Sequence, residues 1–397
     1  MDPLFLKSVP ILRKIEEAGF EAYFVGGSVR DYILGRPIND VDIATSATPQ
    51  EIQALFPKTA DVGIDHGTVM AITPSGTYEI TTFRTEGGYS DFRRPDSVQF
   101  VRSLREDLQR RDFTINAMAM DTAGNIIDHF NGKRDLAEQR IITVGNPHER
   151  FHEDALRMMR ALRFVSQLGF ELDDDTFHSL QVNGPIISKI AVERILVEFE
   201  KLLAGTNKKR AMALLLESEL YQYLPQLSNK KDHLMNVLDL PLDQLKTIEI
   251  WSVIMVQTKE EEMESTLRAW KLPLKTIRNV QRIVQLIKQE PSFEKSAFEV
   301  FQAGHDLTVQ ASKVKASLTG GDVPEAEESA HQHYKALNIK TMSELAVTGT
   351  DLVNWRQEKP GPWVKASLEM VVKAVLDEQV SNDKEEIKRW LESCNPS

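Results

Sequence analysis

The chain has 397 residues, of which 41% are hydrophobic and 27% charged, and its formal net charge is −11. That composition describes a soluble globular protein of several domains and excludes one that coats nucleic acid by bulk positive charge. A single cysteine, Cys394, excludes an internal disulfide and fits a cytoplasmic location, and no apolar run is long enough to span a membrane. Basic residues are unevenly spread. Residues 1–205 hold 17 Arg and 6 Lys, and residues 206–397 hold 6 Arg and 19 Lys. Arginine is the better fork for phosphate and base edges, so this asymmetry places polar recognition in the first half.

Met1–Phe20 reads as an amphipathic helix rather than a signal peptide. Ala22–Val25 reads as a buried strand. Gly26-Gly27 then lets the backbone turn tightly and approach a ligand. Val29–Leu34 reads as a short helix whose first amides face that turn, a seat for phosphate. Asn39–Ala44 reads as the next strand, and alternation puts Asp40 and Asp42 on one face, about 6.6 Å apart, with Val41 in the core. Two carboxylates beside a phosphate-binding turn suit a divalent cation and a nucleoside triphosphate. Taken alone, each motif also fits a solvated turn.

Further strands are predicted near 68–73, 77–83, 115–120 and 126–128, giving a mixed head domain that ends near residue 142. Glu79, on the 77–83 strand, is a third carboxylate for an oxygen-ligand metal site or a base for an attacking hydroxyl. Residues 84–96 read as a mobile loop near the site. Arg111 and Asp112 stand where the 115–120 strand begins. Arg111 can hold a triphosphate and Asp112 can accept from a ribose hydroxyl; a salt-bridged strand start is the alternative.

From about Pro147 the pattern is helical almost to the end. Pro147–Val165 reads as one amphipathic helix with Phe151, Ala155, Met158, Met159, Leu162 and Val165 on one face. Asp154 and Arg157 are i and i+3 on its flank, with Arg160 near Arg157 and Arg163 further round. An acceptor beside a donor complements the amino group and bare ring nitrogen of C and A. It mismatches the carbonyl and N–H of G and U. A plain surface ion pair is the competing reading. His148-Glu149-Arg150-Phe151-His152 also has the H-E-x-x-H pattern of zinc proteases, with Glu171 downstream, although Pro147 sets it in the first helical turn.

Together these motifs resemble the class II CCA-adding enzymes (CCA tRNA nucleotidyltransferases) of bacterial type. The resemblance is carried in order by Gly26-Gly27-Ser28-Val29-Arg30-Asp31 with Asp40-Val41-Asp42, by Arg110–Ala117, and by Glu153-Asp154-Ala155-Leu156-Arg157. Ala191-Val192-Glu193-Arg194-Ile195 is similar to the family's next, structural motif. Gly349–Leu352 and Lys359–Trp363 are weaker matches in the tail. The resemblance implies an α+β fold: a polymerase-β-like nucleotidyltransferase head with a mixed sheet over 1–142, then an all-helical neck (143–205), body (206–290) and tail (291–397).

The implied reaction adds C, C and A to the 3′ end of tRNA from CTP and ATP without a nucleic-acid template. Mg2+ is the implied cofactor, carried by Asp40 and Asp42 with Glu79 in support. Gly27 and Arg30 would contact the nucleotide, Arg111 its phosphates and Asp112 its ribose. Asp154 and Arg157 would act as the protein template, assisted by Arg160 and Arg163, although the place of Arg163 on the helical wheel fits direct contact less well. The implied partners are tRNA, CTP and ATP, with no membrane, and a homodimer is left open. Enzymes adding only A or only CC, and a bacterial poly(A) polymerase, are the related alternatives. A non-catalytic RNA-binding protein would not need Asp40, Asp42, Glu79, Asp154 and Arg157 together.

Overall fold

The Asp2 side chain accepts from the Leu4 amide and starts helix α1 (Pro3–Glu17), which buries Phe5, Leu12 and Ile15. In the computed structural model, which describes residues 1–88, 92, 97–257 and 260–394, the chain divides into two compact units, Met1–Lys231 and Asp232–Ser397.

In the first unit, β1 (Ala22–Val25) is followed by α2 (Gly27–Ile33), β2 (Asp42–Thr45) and α3 (Pro49–Leu55), the last started by a capping box between Thr48 and Glu51. Then come β3 (Thr59–Gly63), β4 (Thr68–Thr73) and β5 (Gly76–Thr82). The short strands β6 (Arg84–Gly87) and β7 (Ser97–Phe100) form a separate antiparallel pair. The loop predicted over 84–96 therefore begins as a strand, and its positions 89–91 and 93–96 lie outside the described residues. After α4 (Leu104–Gln109), the sheet is completed by β8 (Met118–Met120) and β9 (Ile126–Asp128).

The seven strands run in the order β3-β4-β5-β2-β1-β8-β9. Only the β2–β5 pairing is parallel, so the sheet is mixed, as predicted. Val25, Ala44, Phe83, Leu108, Ala117 and Ala119 close the core beneath it. Two predicted strands are shorter than expected. Asp40 precedes β2, which starts only at Asp42. Thr114–Asn116 is a single 3-10 turn rather than strand, because Asn116 and Ala117 donate back to Phe113 and Thr114.

Helix α5 (Gly132–Ala137) leads through β10 (Arg140–Ile141) to α6 (Pro147–Glu153) and α7 (Leu156–Leu168). Strand β11 (Glu171–Leu172) pairs parallel with β10 and is followed by α8 (Asp174–Asn183), α9 (Val192–Ala204) and α10 (Lys208–Glu217). The helix predicted over Pro147–Val165 is thus two helices. Asp154 stands between them with φ −135° and ψ 103°, an extended conformation. The apolar positions of the predicted face are nevertheless all buried.

In the second unit, α11 (Lys231–Leu238) starts at the boundary and α12 (Thr247–Gln257), α13 (Glu260–Ala269), α14 (Leu274–Ile287), α15 (Ala297–Thr319) and α16 (Val323–Lys335) follow. The unit closes with α17 (Gly349–Arg356), α18 (Pro362–Leu376) and α19 (Lys384–Cys394). Its core holds an edge-to-face pair, Trp251 and Trp270, with ring centroids 5.2 Å apart. In the same unit, buried Lys313 lies 3.3 Å from both Glu249 and Glu327. No helix among the described residues is long and apolar enough to cross a membrane.

Candidate active site

Within the first unit, the end of β1, α2, the approach to β2, and the facing sides of α7 and α9 enclose a cavity of about 1320 Å³. Eight of the arginines in the arginine-rich first half line it.

The turn after β1 sets the geometry of one wall. Gly26 adopts φ 74° and ψ −140°, which a side chain strongly disfavours. A Cβ there would stand 3.3 Å from Arg111 Nη1 and 3.5 Å from Asp42 Oδ2, so the turn, Arg111 and Asp42 converge. Gly27 opens α2 and faces the Arg30 guanidinium. Arg30 is held bidentately by Asp31 at 2.9 Å and donates to Asn116 Oδ1 at 2.8 Å.

Asp40 and Asp42 both line the cavity. Glu79 is not part of its wall. The parallel register that pairs Ile43 with Ile80 nevertheless brings Asp42 alongside Glu79. Asp42 still reaches solvent, but the surrounding protein raises its carboxyl above the ordinary range. The charges of Asp40 and Glu79 add to the rise, and Arg111 opposes it. Among the described residues, no three His, Cys, Asp or Glu side chains stand close enough to hold a metal ion as arranged. The chemistry of the donor set still fits one. These are oxygen ligands crowded by like charge, and a divalent cation relieves that crowding.

Arg111 donates to buried Asp107 at 3.2 Å, as Arg110 does at 2.8 and 3.0 Å. Burial would raise the Asp107 carboxyl, but the two arginines outweigh it and hold it below the usual range. Arg110 also pairs with Glu86 of β6, which ties the hairpin to this wall.

Asp112 is buried and fully engaged. Its Oδ1 accepts from the Phe113 amide at 2.8 Å and from Asn116 Nδ2 at 3.1 Å. Its Oδ2 accepts from Arg160 Nε at 2.7 Å and from Arg160 Nη2. Burial opposes the charge, yet Arg160 and Asn116 hold this carboxyl far below its ordinary pKa. Four donors fill the lone pairs of a carboxylate, so a ribose hydroxyl reaches Asp112 only if one of them yields. Arg163 pairs with Glu198 at 2.8 Å and lies over the Phe164 ring. Burial and the neighbouring Arg160 push its guanidinium down to about 10, against the pull of Glu198.

The predicted base selector is reached across the helix break. Asp154 Oδ1 accepts from the Leu156 amide at 3.0 Å, and Oδ2 lies 3.5 Å from Arg194 Nη2 on α9. Arg157 is not an exposed partner of Asp154. It is 7% exposed and donates to Glu153 at 2.7 Å and to the carbonyl oxygens of Arg150 and Arg110 at 3.1 and 2.7 Å. His148 of the H-E-x-x-H pattern is bonded to Asn183 at 3.0 Å and packs against His152 with the rings tilted and their centroids 4.3 Å apart.

The sequence reading gave Glu193 and Arg194 only a structural role, within the Ala191–Ile195 motif, and missed the rest of the opposite wall. Glu193, Arg194, Val197, Glu198 and Lys201 form one stripe of α9 along the cavity. Their i, i+4, i+8 spacing was visible, but a charged stripe at that spacing also describes a solvated helix face.

Residues 22–142 match the poly A polymerase head domain, residues 169–231 an RNA- and SrmB-binding site of polymerase A, and residues 244–391 a tRNA nucleotidyltransferase domain 2. The CCA-adding enzyme of Bacillus licheniformis is 46% identical over 400 residues, covering 100% of both chains. The chain belongs to the CCA-adding enzyme family. A crystal structure of the Bacillus stearothermophilus CCA-adding enzyme in complex with CTP superposes with a TM-score of 0.89 at 43% identity, covering 100% of this chain and 98% of the other. The Thermotoga maritima CCA-adding enzyme complexed with tRNA_CCA shares the fold at a TM-score of 0.68 and 20% identity, over 100% and 97% of the two chains. As a CCA-adding enzyme the chain is a nucleotidyltransferase, and full-length relatives at this identity do not favour the partial-enzyme or poly(A) polymerase alternatives. Asp154 and Arg157 fall in the interval 143–168, which none of the three domain matches covers.

Proposed function

We propose that this CCA-adding enzyme uses the cavity between α2, β2, α7 and α9 to transfer C, C and A from CTP and ATP to the 3′-hydroxyl of tRNA. The supporting observation is that the Gly26 turn, the Asp40 and Asp42 carboxylates and Asp154 line one cavity. In the reaction a new bond joins the tRNA O3′ to the α-phosphorus, and the bond to the bridging oxygen breaks to release pyrophosphate. Mg2+ held by Asp40 and Asp42, with Glu79 supporting Asp42 from the next strand, would lower the pKa of the attacking hydroxyl and neutralise charge on the leaving group. Arg111 faces the glycine turn and offers positive charge to the triphosphate, and Gly27 lets phosphate approach the backbone closely. Arg30, clamped by Asp31 and Asn116, lines the cavity and contacts the nucleotide.

Asp154 accepts from the amino group of cytosine or adenine. Arg157 donates to the neighbouring ring nitrogen after exchanging its bond to Glu153 for one to the base. Asp112, locked by Arg160, fixes the wall on which the ribose rests, and Arg163 braces α7 against α9 through Glu198. The chain works in four parts, a head to residue 142, a neck to 205, a body to 290 and a tail beyond, with the helical parts gripping tRNA by shape and phosphate. The single cysteine, Cys394, supports action in the cytoplasm, and a homodimer is left open.

The test is incubation with magnesium, labelled CTP or ATP, and tRNA ending before CCA, CA or A. All three substrates should be completed. Failure to add C to the shortest one overturns full CCA addition. Replacing magnesium with buffer and chelator should abolish incorporation, and persistence of activity would remove Asp40 and Asp42 as metal carriers.

A further inference from the structure

The break between α6 and α7 leaves Asp154 in extended backbone, where the helix no longer dictates the direction of its side chain. One oxygen is fixed by the Leu156 amide. The other faces α9, where Arg194 Nη2 stands 3.5 Å away. The remaining charges around this carboxylate are committed elsewhere. On α7, Arg157 is bonded to Glu153 and two backbone carbonyls, and Arg160 is bonded to Asp112. On α6, Glu153 is shared by Arg150 and Arg157. On α9, Glu198 pairs with Arg163, and Glu193 lines the cavity one residue from Arg194. From the hairpin side, the Phe92 carbonyl accepts from the Ala155 amide. Arg194 is therefore the one cation, among the described residues, within ion-pair distance of Asp154. Among the described residues, its Nη1 is buried without a hydrogen-bond partner, and Nη2 is the atom that faces Asp154.

We infer that Arg194 is a positioning residue for base selection: it keeps Asp154 a pure acceptor and turns its outer oxygen toward the incoming base. This rests on the reading of Asp154 as a base selector. A neutral carboxylic acid carries a donor, which suits the O4 of uracil or the O6 of guanine. Selectivity against U and G thus depends on Asp154 remaining ionised. Burial raises its carboxyl and Arg194 is the leading opposing influence. Without Arg194 the carboxyl rises further, and the acceptor is lost as pH falls.

The experiment measures the ratio of C to U incorporation on tRNA lacking CCA, across pH, for the wild type and for the Arg194→Met, Arg194→Lys, Asp154→Asn and Asp154→Asn/Arg194→Met variants. A nearby cation lowers a carboxyl pKa by about 1–3 units, so Arg194→Met should lose about tenfold in C-over-U ratio between about pH 8 and pH 6. The wild-type ratio should stay level. Arg194→Lys should restore most of the level behaviour, and the double variant should show no pH dependence because the titrating group is gone. A selectivity loss in Arg194→Met that is equal at every pH, or that lysine does not rescue, overturns the inference in favour of a purely structural role. So does an Arg194→Met ratio equal to wild type throughout. If Asp154→Asn itself keeps the wild-type preference, the base-selector reading fails first, and that failure is visible independently of Arg194.

Discussion

Replacing Gly26 with alanine tests whether the turn after β1 is the geometric origin of the site. The native φ of 74° with ψ of −140° lies outside the regions open to L-residues, and confinement there costs about 1–3 kcal/mol. The added Cβ would also meet Arg111 Nη1 at 3.3 Å and Asp42 Oδ2 at 3.5 Å, the first of which requires a shift of a few tenths of an ångström. Taking about 2 kcal/mol, and about 2–4 °C per kcal/mol for a unit of this size, the first unit should melt roughly 4–8 °C lower. Thermal unfolding of the full chain, followed by circular dichroism, reads that shift. Nucleotide incorporation should fall further than stability explains, because Arg111 and Asp42 move with the turn, and the loss should appear in KM for CTP as well as in kcat. A variant that melts within a degree of wild type and retains its KM would refute the argument.

Arg160→Met removes the main partner of buried Asp112 and should cost about 3 kcal/mol, the low end for a broken buried pair because the Arg160 side chain keeps 32% exposure. Asp112 has a depressed folded pKa, so its contribution is present above the unfolded carboxyl value of about 3.9 and disappears as pH falls toward the folded one. The gap between wild type and variant in denaturant midpoint should accordingly be full at neutral pH and close in acid; a constant gap contradicts the assignment. Lys313→Met leaves Glu249 buried without its cation and should destabilise the second unit by about 3–5 kcal/mol while leaving nucleotide binding by the first unit intact. Limited proteolysis with mapping of the released fragments checks which unit opens. Glu198→Gln loosens the brace between α7 and α9 at Arg163, and CTP titration calorimetry should show weaker binding by about threefold to tenfold; unchanged affinity would detach that brace from the site.

The head sheet was legible because its strands alternate or run apolar between glycine and proline turns: Ala22–Val25, Thr68–Thr73 and Ile126–Asp128 fall where the pattern predicts them. Glu79 was expected beside Asp40 and Asp42 as a third carboxylate, but the register that sets it alongside Asp42 was not legible, since register depends on which strands become neighbours. Asp40 falls outside its predicted strand because β2 begins only at Asp42. The Pro147–Val165 face illustrates a different limit. Periodicity records which side chains are buried, and Phe151, Ala155, Met158, Met159, Leu162 and Val165 all are. It does not record whether the backbone beneath them is continuous. The break depends on the Asp154 bond to the Leu156 amide and on the Phe92 carbonyl reaching the Ala155 amide from the distant hairpin. Nothing local to the helix specifies the second of these. The roles expected of Arg157 and Asp112 were likewise drawn from residue type, whereas the structure shows how many partners each already holds.

That break has a mechanical consequence. On one unbroken helix, acceptor and donor would be two marks on a rigid ruler, a fixed rise and rotation apart. Here the ruler has a joint between the marks. Asp154 belongs to the end of α6 and Arg157 to the first turn of α7, so a small change in the angle between the two segments alters their separation without melting a turn of either helix. The edge of a pyrimidine and that of a purine lie at different distances from the ribose; on the proposed reading of Asp154 and Arg157 as the base readers, a jointed gauge can follow the edge where a stiff one would have to choose between them.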